Sequence, residues 1–146
     1  MARLTRSGGR IVMGNWIPGD PTLVAQILRI SSAHMAPPPE GFISPMTWGV
    51  ESNVIDRFGQ AGIPEENISF EKATYTFVAP YSASEFLNAF RTYYGPTMNA
   101  YEAAGKNGKS DELQEELNTL FNSQNKSASP EETVIPATFL KVTVTC

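Results

Sequence analysis

Apolar and polar positions alternate along the chain in patterns that change period several times. The first is the short run Arg10-Ile11-Val12-Met13-Gly14-Asn15-Trp16, entered through Ser7-Gly8-Gly9 and left through Ile17-Pro18-Gly19-Asp20-Pro21. Three apolar residues in succession predict a strand buried on both faces, as in the middle of a parallel sheet. Such a strand needs partners on both edges and helices on both faces. The nine residues before it are too few for another strand and a crossover helix. The expectation is that half of a domain is encoded ahead of residue 1.

Asp20-Pro21 pairs an N-cap with proline at the first helical position, and Leu23, Val24, Ile27 and Leu28 share one face of a helix predicted to end near Ser32. The run Ala36-Pro37-Pro38-Pro39-Glu40-Gly41 is a stiff connection, since each proline removes a donor and restricts the residue before it. Val50, Val54, Ile55 and Phe58 keep helical spacing from Trp48 onward, with a stop at Gly59 to Gly62. Ile68 to Val78 reads as a strand whose parity changes, Ile68 and Phe70 on one, Ala73, Tyr75 and Phe77 on the other. One extra residue near Glu71-Lys72, a β-bulge, restores a single buried face.

Ser82-Ala83-Ser84-Glu85 has capping-box spacing and opens a helix carrying Phe86, Leu87 and Phe90. That helix stops near Gly95-Pro96, where proline opens another through Met98 and Tyr101 to Gly105. Ser110 caps a further helix with Leu113, Leu117, Leu120 and Phe121 buried, and 122–133 is a polar loop. Thr138 to Thr145 alternates, Leu140, Val142 and Val144 facing one way, as in a strand. The predicted order is strand, two helices, strand, three helices, strand.

Four stretches carry a resemblance. Met1 to Trp16 resembles the part of class I S-adenosylmethionine-dependent methyltransferases that ends a helix, turns through (K/R)-P-G-G and enters the fifth strand; Ser7 stands where the family usually has proline. Ser44-Pro45-Met46-Thr47-Trp48-Gly49, Phe90-Arg91-Thr92-Tyr93-Tyr94-Gly95-Pro96-Thr97 and Ile135-Pro136-Ala137-Thr138-Phe139-Leu140 resemble the tail of the same enzymes, in the same order. The resemblance spans nearly the whole chain but only the family's C-terminal half. It implies an α/β fold, the C-terminal portion of a Rossmann-like methyltransferase sheet. Three strands with about five helices are expected, the last strand antiparallel between the other two. Ile11–Asn15 then lies beside Thr138–Thr145 with its other edge unpaired.

Length changes this picture little: 146 residues are the size of one domain, 1–146, and one core is expected. A net charge of −4 provides no basic footprint, so no nucleic-acid partner is expected. The single cysteine, Cys146, has no intrachain partner, which fits a reducing, cytoplasmic setting. No apolar stretch reaches the length of a membrane span, so no membrane partner is expected.

The candidate chemistry lies on the acceptor side. Ligands of open α/β sheets sit beyond the carboxyl ends of parallel strands, the position of Asn15 and Trp16. Asn15 orients an acceptor through its amide and Trp16 walls the pocket; the competing reading is that Asn15 caps the turn and Trp16 is core. Trp48, Tyr93 and Tyr94 combine apolar bulk with a donor suited to a small acceptor, against the reading that they simply pack. His34, the only histidine, is either a general base or a solvent-facing loop residue. No second histidine or cysteine gathers with it, and no metal site is expected. Asp111, Glu112, Glu115 and Glu116 read as a solvated helix face.

The resemblance implies S-adenosylmethionine as methyl donor and a small-molecule acceptor for the full-length family. The glycine-rich turn after a first strand and the acid after a second are missing here, so the chain alone is expected neither to bind the cofactor nor to be active. The alternative is a non-catalytic interaction module that forms a homodimer through the Ile11–Asn15 edge. A weaker third reading is a pocket for an apolar ligand between the sheet and the aromatic helices.

Overall fold

The computed structural model describes residues 1–146. Its strands are β1 (Arg10–Trp16), β2 (Ile68–Ala79) and β3 (Thr133–Thr145). Its α-helices are α1 (Leu23–Ala33), α2 (Glu51–Gly59), α3 (Ala83–Tyr93), α4 (Gly95–Lys106) and α5 (Ser110–Gln124). Short 3₁₀ turns occupy Ala2–Leu4, Pro45–Gly49 and Glu65–Asn67. The element order is the one the periodicities predict. β3 lies between β1 and β2 in an antiparallel three-stranded sheet, so β1 and β2 point the same way. The β1–β3 register runs from Arg10 opposite Thr145 to Trp16 opposite Phe139.

The chain divides into two compact units, each with its own buried cluster. The first comprises residues 1–20, 43–74 and 138–146. Leu140, Val142 and Val144, alternating along β3, bury one face against Ile11, Val54, Phe58, Ile63 and Ile68. The β1–β3 pairing continues past the strand ends, where Gly8 N–H donates to the Cys146 carbonyl at 2.6 Å and Cys146 N–H donates to the Gly9 carbonyl at 2.9 Å. Gly62, with φ +80°, supplies the left-handed residue that turns the chain out of α2 toward Ile63.

The second unit comprises residues 21–42 and 75–137. Here α1, α3, α4 and α5 pack together, burying Leu23, Ile27, Leu87, Leu113, Leu117 and Phe121. Ala100 and Ala104 are fully covered and keep one face of α4 slim. Phe86, Phe90 and Phe121 meet edge-on, with centroids 5.2 to 5.9 Å apart. The Ser82–Glu85 capping box is complete: Ser82 Oγ accepts from Glu85 N–H, and Glu85 Oε2 accepts from Ser82 N–H at 3.0 Å.

Several expectations are corrected. β1 is not buried on both faces: Ile11 is buried on the core face of the sheet, whereas Val12 alternates to the opposite face and is 61% exposed. β1 is also an edge strand, paired on one side only. Asp20 does not cap α1; the Thr22 carbonyl accepts the first intrahelical bond, from Gln26, so Thr22 holds that position. Likewise Lys109, whose carbonyl accepts from Leu113, precedes α5, and Ser110 is already helical. Trp48 lies in a 3₁₀ turn ahead of α2.

β3 begins five residues before Thr138 and includes Pro136. Since β1 pairs only with 139–145, Pro136 sits where β3 has one neighbouring strand, a place that tolerates a missing donor. In β2 the buried parity does switch, from Ile68 and Phe70 to Ala73 and Phe77, with Glu71 and Lys72 both exposed. Tyr75 is exposed, not buried as its parity predicts, while its ring meets Phe77 at 4.9 Å.

Candidate functional site

Local sequence shapes the region around Trp48. Ser44 caps the 3₁₀ turn, its Oγ accepting from Met46 N–H at 3.2 Å, with Pro45 in the first turn where no donor is needed. Thr47 Oγ1 donates to the Ser44 carbonyl at 2.7 Å and accepts from Arg57 Nη2 at 2.6 Å. That bond carries the Arg57 guanidinium over the indole of Trp48, 4.3 Å from the ring centroid. Phe58 meets the same indole at 6.2 Å, so consecutive residues of α2 hold Trp48 from two directions.

The turn packs directly on β1. A Cβ at Gly49 would run into the carbonyl of Trp16, so only glycine lets the backbone approach this closely. The Trp16 ring stands edge-on to Phe139 of β3 at 6.2 Å. Beside it, Asn15 Nδ2 is buried without a hydrogen-bond partner, and so is Arg57 Nη1. Buried donors left unpaired are costly and rare in folded proteins, which marks both as groups suited to a ligand's acceptor atoms.

Asn15, Trp16 and Trp48 all lie in the first unit, but on different faces of the sheet. Trp48 packs on the core side, which Asn15 shares through its register with Leu140, whereas the Trp16 ring stands with Phe139 on the other face and only its carbonyl abuts the Trp48 turn. Tyr93 and Tyr94 belong to the second and face different surroundings. Tyr93 is 83% exposed. Tyr94 is half-buried against Phe90, with centroids 5.4 Å apart, and that burial raises its phenol above the usual 10.0. Nearby, Tyr101 donates to Gln114 Oε1 at 2.7 Å under the Arg91 guanidinium; burial raises its phenol and the arginine partly offsets this.

No family model and no curated protein matches the chain. The site is therefore read from its own residues.

S-adenosylmethionine, implied by the resemblance, does not fit the strand-to-helix turns of this chain. β1 leads into α1 through 17–22 with the single glycine Gly19, and β2 leads into α3 through 80–82 with none. Neither turn offers the run of small residues that admits a nucleotide's ribose and charged groups to the backbone. A shallow depression along α5, lined by Asp111, Gln114, Glu115, Asn118, Thr119 and Asn122, shares no residue with the aromatic cluster.

Sequence reasoning missed Arg57, which reads there as an ordinary charged residue in the last turn of a helix. It also missed the surroundings of His34. The imidazole is not solvent-facing: its side chain is 5% exposed and its Nε2 lies 3.2 Å from Glu116 Oε1. That contact links residues 82 positions apart, which no local pattern encodes.

Proposed function

We propose that the chain forms the acceptor side of an S-adenosylmethionine-dependent methyltransferase acting on a small molecule, with the cofactor held by residues outside this chain. The observation that carries the reading is the strand order: β3 runs antiparallel between β1 and β2, the arrangement the resemblance implies. Asn15 and Trp16 end β1, where the Trp16 carbonyl abuts the turn that carries Trp48, and the unpaired donors Asn15 Nδ2 and Arg57 Nη1 would hold the acceptor's oxygens. The role of these residues is to bind and orient the acceptor, and no chemical step is assigned to them.

The test is tryptophan fluorescence of the chain titrated with a panel of small phenols, carboxylic acids and amines. A saturable change with one class, lost in Trp48→Phe and Asn15→Ala, is the expected result. A panel without response overturns the acceptor site. Tight binding of S-adenosylmethionine to the chain alone, measured by calorimetry, overturns the assignment of the cofactor to residues elsewhere.

A second reading follows from the free edge of β1, whose outward Val12 is exposed. A strand with unpaired backbone groups invites pairing with a copy of itself, and a two-fold homodimer through Ile11–Asn15 would close it. Sedimentation at micromolar concentration distinguishes the two: a stable monomer removes the dimer and leaves the acceptor site standing.

A further inference from the structure

The C-terminal end of α1 and one face of α5 bring together three metal-ligating side chains in the second unit. His34 follows the last turn of α1, while Glu112 and Glu116 are one turn apart on α5. Their candidate ligand atoms all lie within 4.8 Å of one another. The imidazole is almost wholly buried, whereas the carboxylate of Glu116 is 44% exposed, so the cluster opens to solvent on the acidic side.

We infer that His34, Glu112 and Glu116 bind a divalent transition-metal ion of the zinc type. Two ligand atoms each about 2.1 Å from a zinc ion at a tetrahedral angle are about 3.4 Å apart. The observed Nε2–Oε1 separation of 3.2 Å is already close to that edge. Glu112 completes the set by a side-chain torsion change, giving up an exposed contact with Lys109 Nζ at 3.4 Å that stabilises little.

The donor set determines the class of ion. One imidazole nitrogen and two carboxylate oxygens suit zinc, cobalt, nickel or manganese, whereas magnesium and calcium prefer all-oxygen surroundings. Electrostatics point the same way, because Glu112 and Glu116 are like charges on adjacent turns and a dication between them turns repulsion into attraction. Three protein ligands leave further positions for water, so the ion would be exchangeable.

The test titrates the full chain with zinc chloride by calorimetry and with cobalt chloride by visible absorption and proton NMR. With a single histidine in the chain, the imidazole signals are unambiguous. The expected result is one equivalent bound at micromolar concentration, with cobalt shifting the His34 ring resonances. His34→Ala and Glu112→Gln should each weaken binding about tenfold or more. Glu112 is exposed, so its variant should fold even if the histidine variant does not. Glu115→Gln and Cys146→Ser should bind as the parent does. No stoichiometric binding, binding that survives Glu112→Gln, or binding lost in Cys146→Ser overturns the site.

Discussion

The Arg57 guanidinium lies over the indole of Trp48 at 4.3 Å while its Nη2 is held by Thr47 at 2.6 Å. The side chain thereby ties α2 to the 3₁₀ turn before it and sets the ring orientation of a candidate ligand wall. Lysine would keep the charge but lose the planar stack and the fork of donors. Arg57→Lys should therefore lower stability by about 1–2 kcal/mol in urea unfolding and red-shift tryptophan emission. An unchanged emission maximum would separate Arg57 from the positioning of Trp48.

Gly49 and Gly59 bracket α2 and should respond oppositely to alanine. At Gly49 the new Cβ meets the Trp16 carbonyl, and backbone has to move. Gly49→Ala should cost about 1–3 kcal/mol or more. At Gly59 nothing lies within 4 Å of the new atom and the residue is helical, so Gly59→Ala should stabilise by about 0.5–1 kcal/mol. Thermal melts of the two variants check the pair.

The capping box at the start of α3 pairs Ser82 and Glu85 reciprocally. Removing the hydroxyl leaves the Glu85 N–H without its acceptor, so Ser82→Ala should cost about 1 kcal/mol. Ser82→Thr keeps the hydroxyl, which accepts from Glu85 N–H and donates to Glu85 Oε2 at 2.9 Å, and should restore most of the loss, as read by denaturant midpoint at unchanged slope.

Burial raises the phenols of Tyr94 and Tyr101 above their ordinary 10.0. With the folded value higher than the unfolded one, the folded chain binds these protons more tightly. Their contribution is full below pH 10.0 and falls as the pH rises through the folded values. Stability should drop on the alkaline side, and Tyr94→Phe with Tyr101→Phe should flatten that drop, measured as unfolding midpoint against pH.

Much of the architecture was legible because it is written in short-range chemistry. The Ser82–Glu85 spacing, the alternation Leu140-Val142-Val144 and the parity change at Glu71-Lys72 each reflect a local geometric rule, and each reappears in the structure. Helix starts differ from the local expectation at α1, where Thr22 and not Asp20 precedes the helix, and at α5, where Lys109 and not Ser110 does. At α1 and α5 the decision rests on which carbonyl accepts the first intrahelical bond, and that depends on how the preceding turn leaves its neighbour.

The candidate sites divide in the same way. Asn15 and Trp16 adjoin in sequence, and an aromatic such as Trp48 stands out by type, so both were legible as candidates. Periodicity alone determined the order of strands and helices and the faces that most of them bury. Tertiary structure decided that Val12 faces solvent, that Arg57 covers Trp48, and that His34 meets Glu116 across 82 positions. The reason is physical: local bonds follow from neighbours a few residues apart, whereas burial and charge partnership exist only after distant segments pack.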